Sequence, residues 1–209
     1  MASLSRIKQK LPAYSWARLV SDLVSPPVVW AILVIPVALQ YSRTTAEALM
    51  WSALYSFFIC VIPLGFVAYM VKIGRIGDIH MKERRERLRP LLLSIICTTI
   101  VWWLLRVGDA PPALPLLALI SLIQISIIAL ITLVWQISMH MMSIAGAAIA
   151  VGIIFSMSVG FLMVPLVPLV GAARLKLKRH TPAQIVAGTI IGALVPVLLL
   201  MWLPMSLIT

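Results

Sequence analysis

Residues 141–173 read MMSIAGAAIAVGIIFSMSVGFLMVPLVPLVGAA, and how often this stretch crosses a membrane decides the fold. As a single helix its roughly 33 residues would extend about 50 Å, well beyond one bilayer crossing. Ser156-Met157-Ser158 and Gly160 supply a break, which gives two short helices in place of one long one.

The same apolar character extends in both directions. Apolar runs occur at about 26–41, 47–71, 91–107, 113–135, 141–156, 158–173 and 183–205. Residues 41–45 and the Asp109-Ala-Pro-Pro112 turn read as tight connections. Of the 209 residues 62% are hydrophobic and only 11% are charged, with a mean hydropathy of +1.09. A water-soluble fold of this size has too little interior for so much apolar surface. The expectation is an all-α, polytopic membrane bundle of six to seven segments. The polar, basic start from Met1 to Lys10 predicts no cleavable signal. Cys60 and Cys97 lie inside apolar runs without metal-ligand spacing and read as small hydrophobes. There is no internal repeat and no low-complexity tract.

The net charge is +11, from 17 basic and 6 acidic residues. The basic residues cluster beside apolar spans, which points to lipid head groups, phosphate and membrane orientation, not to nucleic acid. Seven segments put the N-terminus and the connections at 72–90, 136–140 and 174–182 on one side. All basic residues except Arg43 and Arg106 then share that side. The positive-inside rule makes it cytoplasmic. Six segments would instead place His140 and His180 on opposite faces.

Three polar stretches interrupt the apolar chain, and each has two readings. The first runs from Asp78 through Lys82-Glu-Arg84-Arg85-Glu-Arg87-Leu-Arg89 to Pro90. It is either a solvated loop that sets topology or a phosphate clamp, because arginine's planar donor fork matches phosphate oxygens. Asp78 and His80 have no further ligand at metal spacing, so no metal site is expected. The second is Ser138-Met139-His140: a satisfied helix end, or a hydroxyl donor beside an imidazole that titrates near neutrality. The third is Arg174-Leu-Lys176-Leu-Lys178-Arg179-His180-Thr181-Pro182-Ala-Gln184. Thr181 reads as an N-cap, Pro182 as the first helical residue and Gln184 as the partner in a capping box. His180 then sits just ahead of the last helix, either as part of a cap or as a nucleophile facing a phosphate held by Arg174.

In order and spacing these stretches resemble the type 2 phosphatidic acid phosphatase superfamily, whose members share a helical core with vanadium haloperoxidases. The family motifs are Lys-x6-Arg-Pro, Pro-Ser-Gly-His and Ser-Arg-x5-His-x3-Asp. Here they stand as Lys82-x6-Arg89-Pro90, Ile137-Ser138-Met139-His140 and Ala173-Arg174-x5-His180-x3-Gln184. The resemblance covers roughly residues 72–200. It implies a catalytic core at 72–209, preceded at 1–71 by a basic segment and two accessory helices. It also implies cofactor-free hydrolysis of an amphiphilic lipid phosphate. His180 would attack phosphorus to give a phosphohistidine, and His140 would protonate the leaving oxygen. Lys82, Arg89, Arg174 and Ser138 would bind the phosphoryl oxygens. An alternative register, Asp-x-Asp-x3-Arg-x2-Arg, would bring in Asp78, Arg84 and Arg87. Gln184 stands where the family has aspartate; some polyprenyl diphosphate phosphatases of the superfamily resemble this chain in a His-Thr-x-x-Gln pattern.

Competing classes are a catalytically silent relative that binds anionic lipid or a membrane partner, a membrane prenyl transferase and a small transporter. Asp22, Asp78 and Asp109 are too dispersed for the transferase's two aspartate-rich magnesium motifs. Few ionisable residues lie within the spans to mark a transport pathway.

Overall fold

The chain is seen in a computed structural model that describes residues 15–78, 81 and 83–202. Helices α1 (Trp16–Leu23) and α2 (Pro26–Tyr41) form an elbow bent by 56°. Pro26 and Pro27 cannot donate to the preceding turn, and the residue before a proline is driven into extended backbone; Ser25 has φ −69° and ψ 146°. Helices α3 (Thr45–Ser56) and α4 (Ile62–Lys72) form one span joined by a π-helical turn at Phe57–Val61. Pro63 follows that turn, and the wider i→i+5 ladder absorbs its missing N–H.

A 3-10 turn at Arg84–Arg87 leads into α5 (Leu88–Val107), and α6 (Ala113–Thr132) returns. The turn between them is tightened by Asp109 at φ 53°. Helix α7 (Met139–Ile154) is followed after only two residues by α8 (Met157–Met163), which runs on through α9 (Leu166–Lys176); α10 (Pro182–Trp202) closes the described chain. Each apolar run read from the sequence contains helix. The break within 141–173 falls at Phe155-Ser156, where Ser156 caps α8 by accepting from the Val159 N–H at 3.3 Å. The Tyr41 hydroxyl donates to the Ile154 carbonyl at 2.8 Å, satisfying an acceptor that the break leaves open.

Among the described residues the fold is all-helical. Five spans are long and apolar enough to cross a membrane, and the α1–α2 elbow makes a sixth if counted as one; α7 is shorter. Large apolar side chains cover the exterior, among them Val134, Leu162 and Phe161. This is the arrangement of a multi-pass membrane protein, in which helices satisfy the backbone internally and present apolar side chains to lipid. The core lies among α2, α3, α5, α6 and α7, around Val34, Tyr55, Val101, Leu117 and Ala147.

Helix α10 crosses α7 with backbone nearly touching backbone. A Cβ built on Gly192 would lie 2.3 Å from the Met142 carbonyl oxygen, and one on Gly188 would lie 2.6 Å from that of Ser138. Gly188 and Gly192 are one turn apart, so α10 presents a smooth strip to α7, the small-residue contact favoured between membrane helices. Gln124 of α6 clamps the crossing by donating Nε2–H to the Gly192 carbonyl at 3.1 Å. The crossing fixes the start of α7 beside the start of α10. Gly192→Ala should therefore lower stability by about 1–3 kcal/mol, read as an earlier thermal unfolding midpoint in detergent. Gly65→Ala, whose Cβ would meet nothing within 4 Å, should match or exceed wild type; equal behaviour of the two variants would refute the close crossing.

Candidate active site

The three polar stretches meet at one end of the bundle. Asp78 Oδ2 pairs with Arg179 Nη2 at 2.6 Å, joining the first stretch to the third. The Ser138 N–H donates to the Gln184 carbonyl at 3.1 Å, joining the second to the third. The Gln136 amide, two residues ahead of the second stretch, lies against the Arg87 guanidinium; with its oxygen assigned to that side, since arginine can only donate, it accepts from Nη2 at 2.6 Å and Nη1 at 3.2 Å. Separations of about 40 to 100 residues in sequence are thus closed by hydrogen bonds.

His180 stands between α9 and α10, 7% exposed. The capping box forms as the sequence predicts: the Gln184 N–H reaches Thr181 Oγ1 at 3.4 Å, and the Thr181 N–H reaches Gln184 Oε1 at 3.0 Å. A backbone N–H can only donate, so that atom of Gln184 is the carbonyl oxygen. The same oxygen lies 3.2 Å from His180 Nδ1, which must then carry the proton. In the neutral ring Nε2 is left with its lone pair. Burial first, then the Arg174 and Arg87 charges, push the imidazole down from its ordinary 6.5 to about 3. Arg179 acts in the same direction, and the Gln184 hydrogen bond opposes it. The ring is therefore neutral at pH 7.

Arg174, in the last turn of α9, is 2% exposed. Its Nη1 donates to Ser21 Oγ at 2.6 Å, while its Nε has no hydrogen-bond partner among the described residues. A buried guanidinium N–H without an acceptor is rare in native proteins and asks for a ligand. Arg87 is equally buried, and its Nε donates to the Met81 carbonyl at 2.9 Å. Two buried arginines and the half-exposed Arg179 thus act together on one neutral imidazole.

The other residues expected from the sequence fall differently. Arg89 is exposed and Arg84 half-buried. From Leu88 the chain is α-helical, and steps of about 100° per residue turn Arg89 to the side opposite Arg87. Of the two registers read in the first stretch, the buried cation is Arg87 of the alternative one, while Arg89 of the Lys-x6-Arg register is exposed. Asp78 belongs to the site through Arg179. Lys82 and His80 lie outside the described residues. Ser138 is fully buried, and its hydroxyl caps α7 by accepting from the Met141 N–H at 3.5 Å. His140 Nε2 lies 3.0 Å from the Ser21 carbonyl oxygen. That oxygen can only accept, so Nε2 carries the proton.

Sequence reasoning missed Ser21, Gln136 and the direct role of Arg179. Ser21 is carried by α1, which lies ahead of the two helices read as accessory and reaches the cluster through Arg174 and His140. Ala17 and Ser21, one turn apart, form its buried face, but nothing local in the sequence marks the partners they meet. A cavity of about 440 Å³ opens beside this cluster, walled by α2, α4, α5, α6 and α7. Its lining is mostly apolar, with Asp22, Ser25, Ser94, Gln124, His140 and Ser143 as polar points. His140 and Met81 connect it to the arginines; His180 and Arg174 are not in its wall.

No protein-family model, curated protein or solved structure matches the chain.

An imidazole held below its unfolded value favours folding with the ring neutral. That contribution is complete above about pH 6.5 and is lost as the pH falls toward about 3. In nitrogen NMR of the detergent-solubilised protein, His180 should stay in the neutral Nδ1–H form down to about pH 5. Titration near its ordinary value would contradict this environment.

Proposed function

We propose that the protein is a membrane-embedded lipid phosphate phosphatase of the type 2 phosphatidic acid phosphatase superfamily. The observation that carries this reading is a neutral, buried His180 with Nε2 unprotonated, set among Arg174, Arg87 and Arg179. Nucleophile and cations are what phosphoryl transfer requires: a lone pair to attack phosphorus, and fixed donors for the charge on three equatorial oxygens.

In this reading Nε2 bonds to phosphorus as the bond to the lipid oxygen breaks. Arg174 supplies Nη and Nε donors, with Arg87 and Arg179 completing the cradle. His140, carrying protons on both ring nitrogens in the reacting state, hands its Nε2 proton from the Ser21 carbonyl to the leaving oxygen. Water then adds to phosphorus, giving a proton back to His140 Nε2 as the Nε2–phosphorus bond of His180 breaks, which releases phosphate and regenerates neutral His180. Gln184 holds Nδ1–H in place without contributing the charge an aspartate would. The reaction uses arginines in place of a metal ion. The apolar cavity next to His140 suits the chain of an amphiphile, and the His180-Thr181-x-x-Gln184 pattern favours a polyprenyl phosphate or diphosphate over phosphatidate. In this reading α7 is counted as a short seventh crossing, and the positive-inside rule then puts the three polar stretches on the cytoplasmic face.

The second reading is a lipid-phosphate binder without turnover. It is favoured by Gln184, whose one carbonyl oxygen is already shared between Thr181 and His180.

The test is phosphate release from polyprenyl diphosphate in sealed inverted vesicles with chelator present. Turnover should persist with chelator, fall by about 10³-fold or more in His180→Ala, and fall by about 10²–10³-fold in Arg174→Ala. Right-side-out vesicles should be silent until permeabilised. Full activity of His180→Ala, or loss with chelator, would sink the mechanism; binding without release would establish the second reading.

A further inference from the structure

Ser21 belongs to none of the three polar stretches, yet it touches two of the helices that carry them. It is fully buried. Its hydroxyl accepts from Arg174 Nη1 at 2.6 Å, and its carbonyl accepts from His140 Nε2 at 3.0 Å. One residue of α1 therefore joins the arginine of α9 to the histidine of α7.

The rest of α1 is arranged to deliver it. Ser15 caps the helix by accepting from the Arg18 N–H at 3.3 Å. The Lys176 ammonium of α9 sits 4.8 Å over the Trp16 ring. Ala17 and Ser21, one turn apart, face inward, while Leu19 and Leu23 are exposed. The helix then ends at the Pro26-Pro27 elbow, so its direction is set by the chain as well as by packing. An arginine with one N–H tied to a fixed acceptor keeps its planar fork in a single orientation. A histidine with Nε2–H on a backbone carbonyl keeps a single tautomer.

We infer that Ser21 is a positioning residue that sets Arg174 and His140 in register for phosphoryl transfer. The inference rests on the phosphatase reading and adds α1 to the working parts of that site. The hydroxyl also lies 3.5 Å from His140 Nε2, a longer contact than the carbonyl's 3.0 Å. Ser21→Ala removes the hydroxyl that orients Arg174, and with it this longer contact, but keeps the carbonyl that orients His140. The variant should therefore weaken phosphate binding more than it disturbs the proton donor.

The experiment uses the full chain in detergent, with inorganic phosphate as the binding probe by calorimetry and polyprenyl diphosphate for turnover. Ser21→Ala should weaken phosphate binding and lower kcat/KM by about 10- to 100-fold, with the shape of the pH profile unchanged. Ala17→Gly loosens the same helix without touching either partner, and should leave phosphate affinity within about 2-fold of wild type. Unchanged phosphate affinity in Ser21→Ala, or an equal loss in Ala17→Gly, would overturn the positioning role. Failure of wild type to bind phosphate would overturn it as well. Retained turnover in His180→Ala would remove the phosphatase reading itself, whereas an inactive His180→Ala beside a wild-type Ser21→Ala removes only the inference about Ser21.

Discussion

The structure turns on the burial of positive charge. Arg87 and Arg174 are each 2% exposed, and Arg179 stands beside them. Withdrawing a guanidinium from water costs several kcal/mol unless hydrogen bonds and opposing charge replace the solvent. Neutral acceptors do part of this: Ser21 Oγ for Arg174, and Gln136 and the Met81 carbonyl for Arg87. Asp78 answers Arg179, and Asp22 supplies an opposing charge to Arg174. Among the described residues three arginines thus face two carboxylates, and the Arg174 Nε–H is unanswered. Guanidinium donors in excess of their carboxylates suit an oxyanion, the chemistry on which the proposed function calls. Burial first, and then the same charges, keep His180 neutral, so one arrangement produces both features on which the proposed phosphoryl transfer rests.

Holding such a cluster together requires a frame that does not yield. The α7–α10 crossing provides it, because at Gly188 and Gly192 there is no side chain to rearrange. The starts of both helices are pinned by the Ser138 to Gln184 bond. The capping box then fixes the Gln184 amide, and through it the tautomer of His180. One oxygen atom of Gln184 thus serves both the helix cap and the His180 ring.

Most of the helical plan was legible because lipid-facing helices are apolar all round, and their ends are marked by Pro, Ser, Thr and charge. The break in 141–173 was readable from Ser156, since a serine ahead of an apolar run is a cap wherever it occurs. The third polar stretch was readable for the same reason. The first was not, because Arg84, Arg85, Arg87 and Arg89 are chemically alike, and only the switch from a 3-10 turn to an α-helix decides which of them is buried. Ser21 was hidden for a different reason. Its partners are 119 and 153 residues away, and nothing local in Trp16–Leu23 announces that its inner face meets an arginine and not an alkyl chain. Gln136 was passed over as one more polar residue at a helix end, though it is the acceptor that makes burial of Arg87 tolerable.

The central claim is that His180 Nε2 forms a bond to phosphorus. The most direct measurement is a rapid acid-free quench of the purified protein with polyprenyl diphosphate labelled in its terminal phosphate. The account predicts a protein-bound label that is stable in base, labile in acid and located on the peptide containing His180. An acid-stable label, a label on another residue, or burst-phase phosphate release with no labelled protein at any time would contradict it.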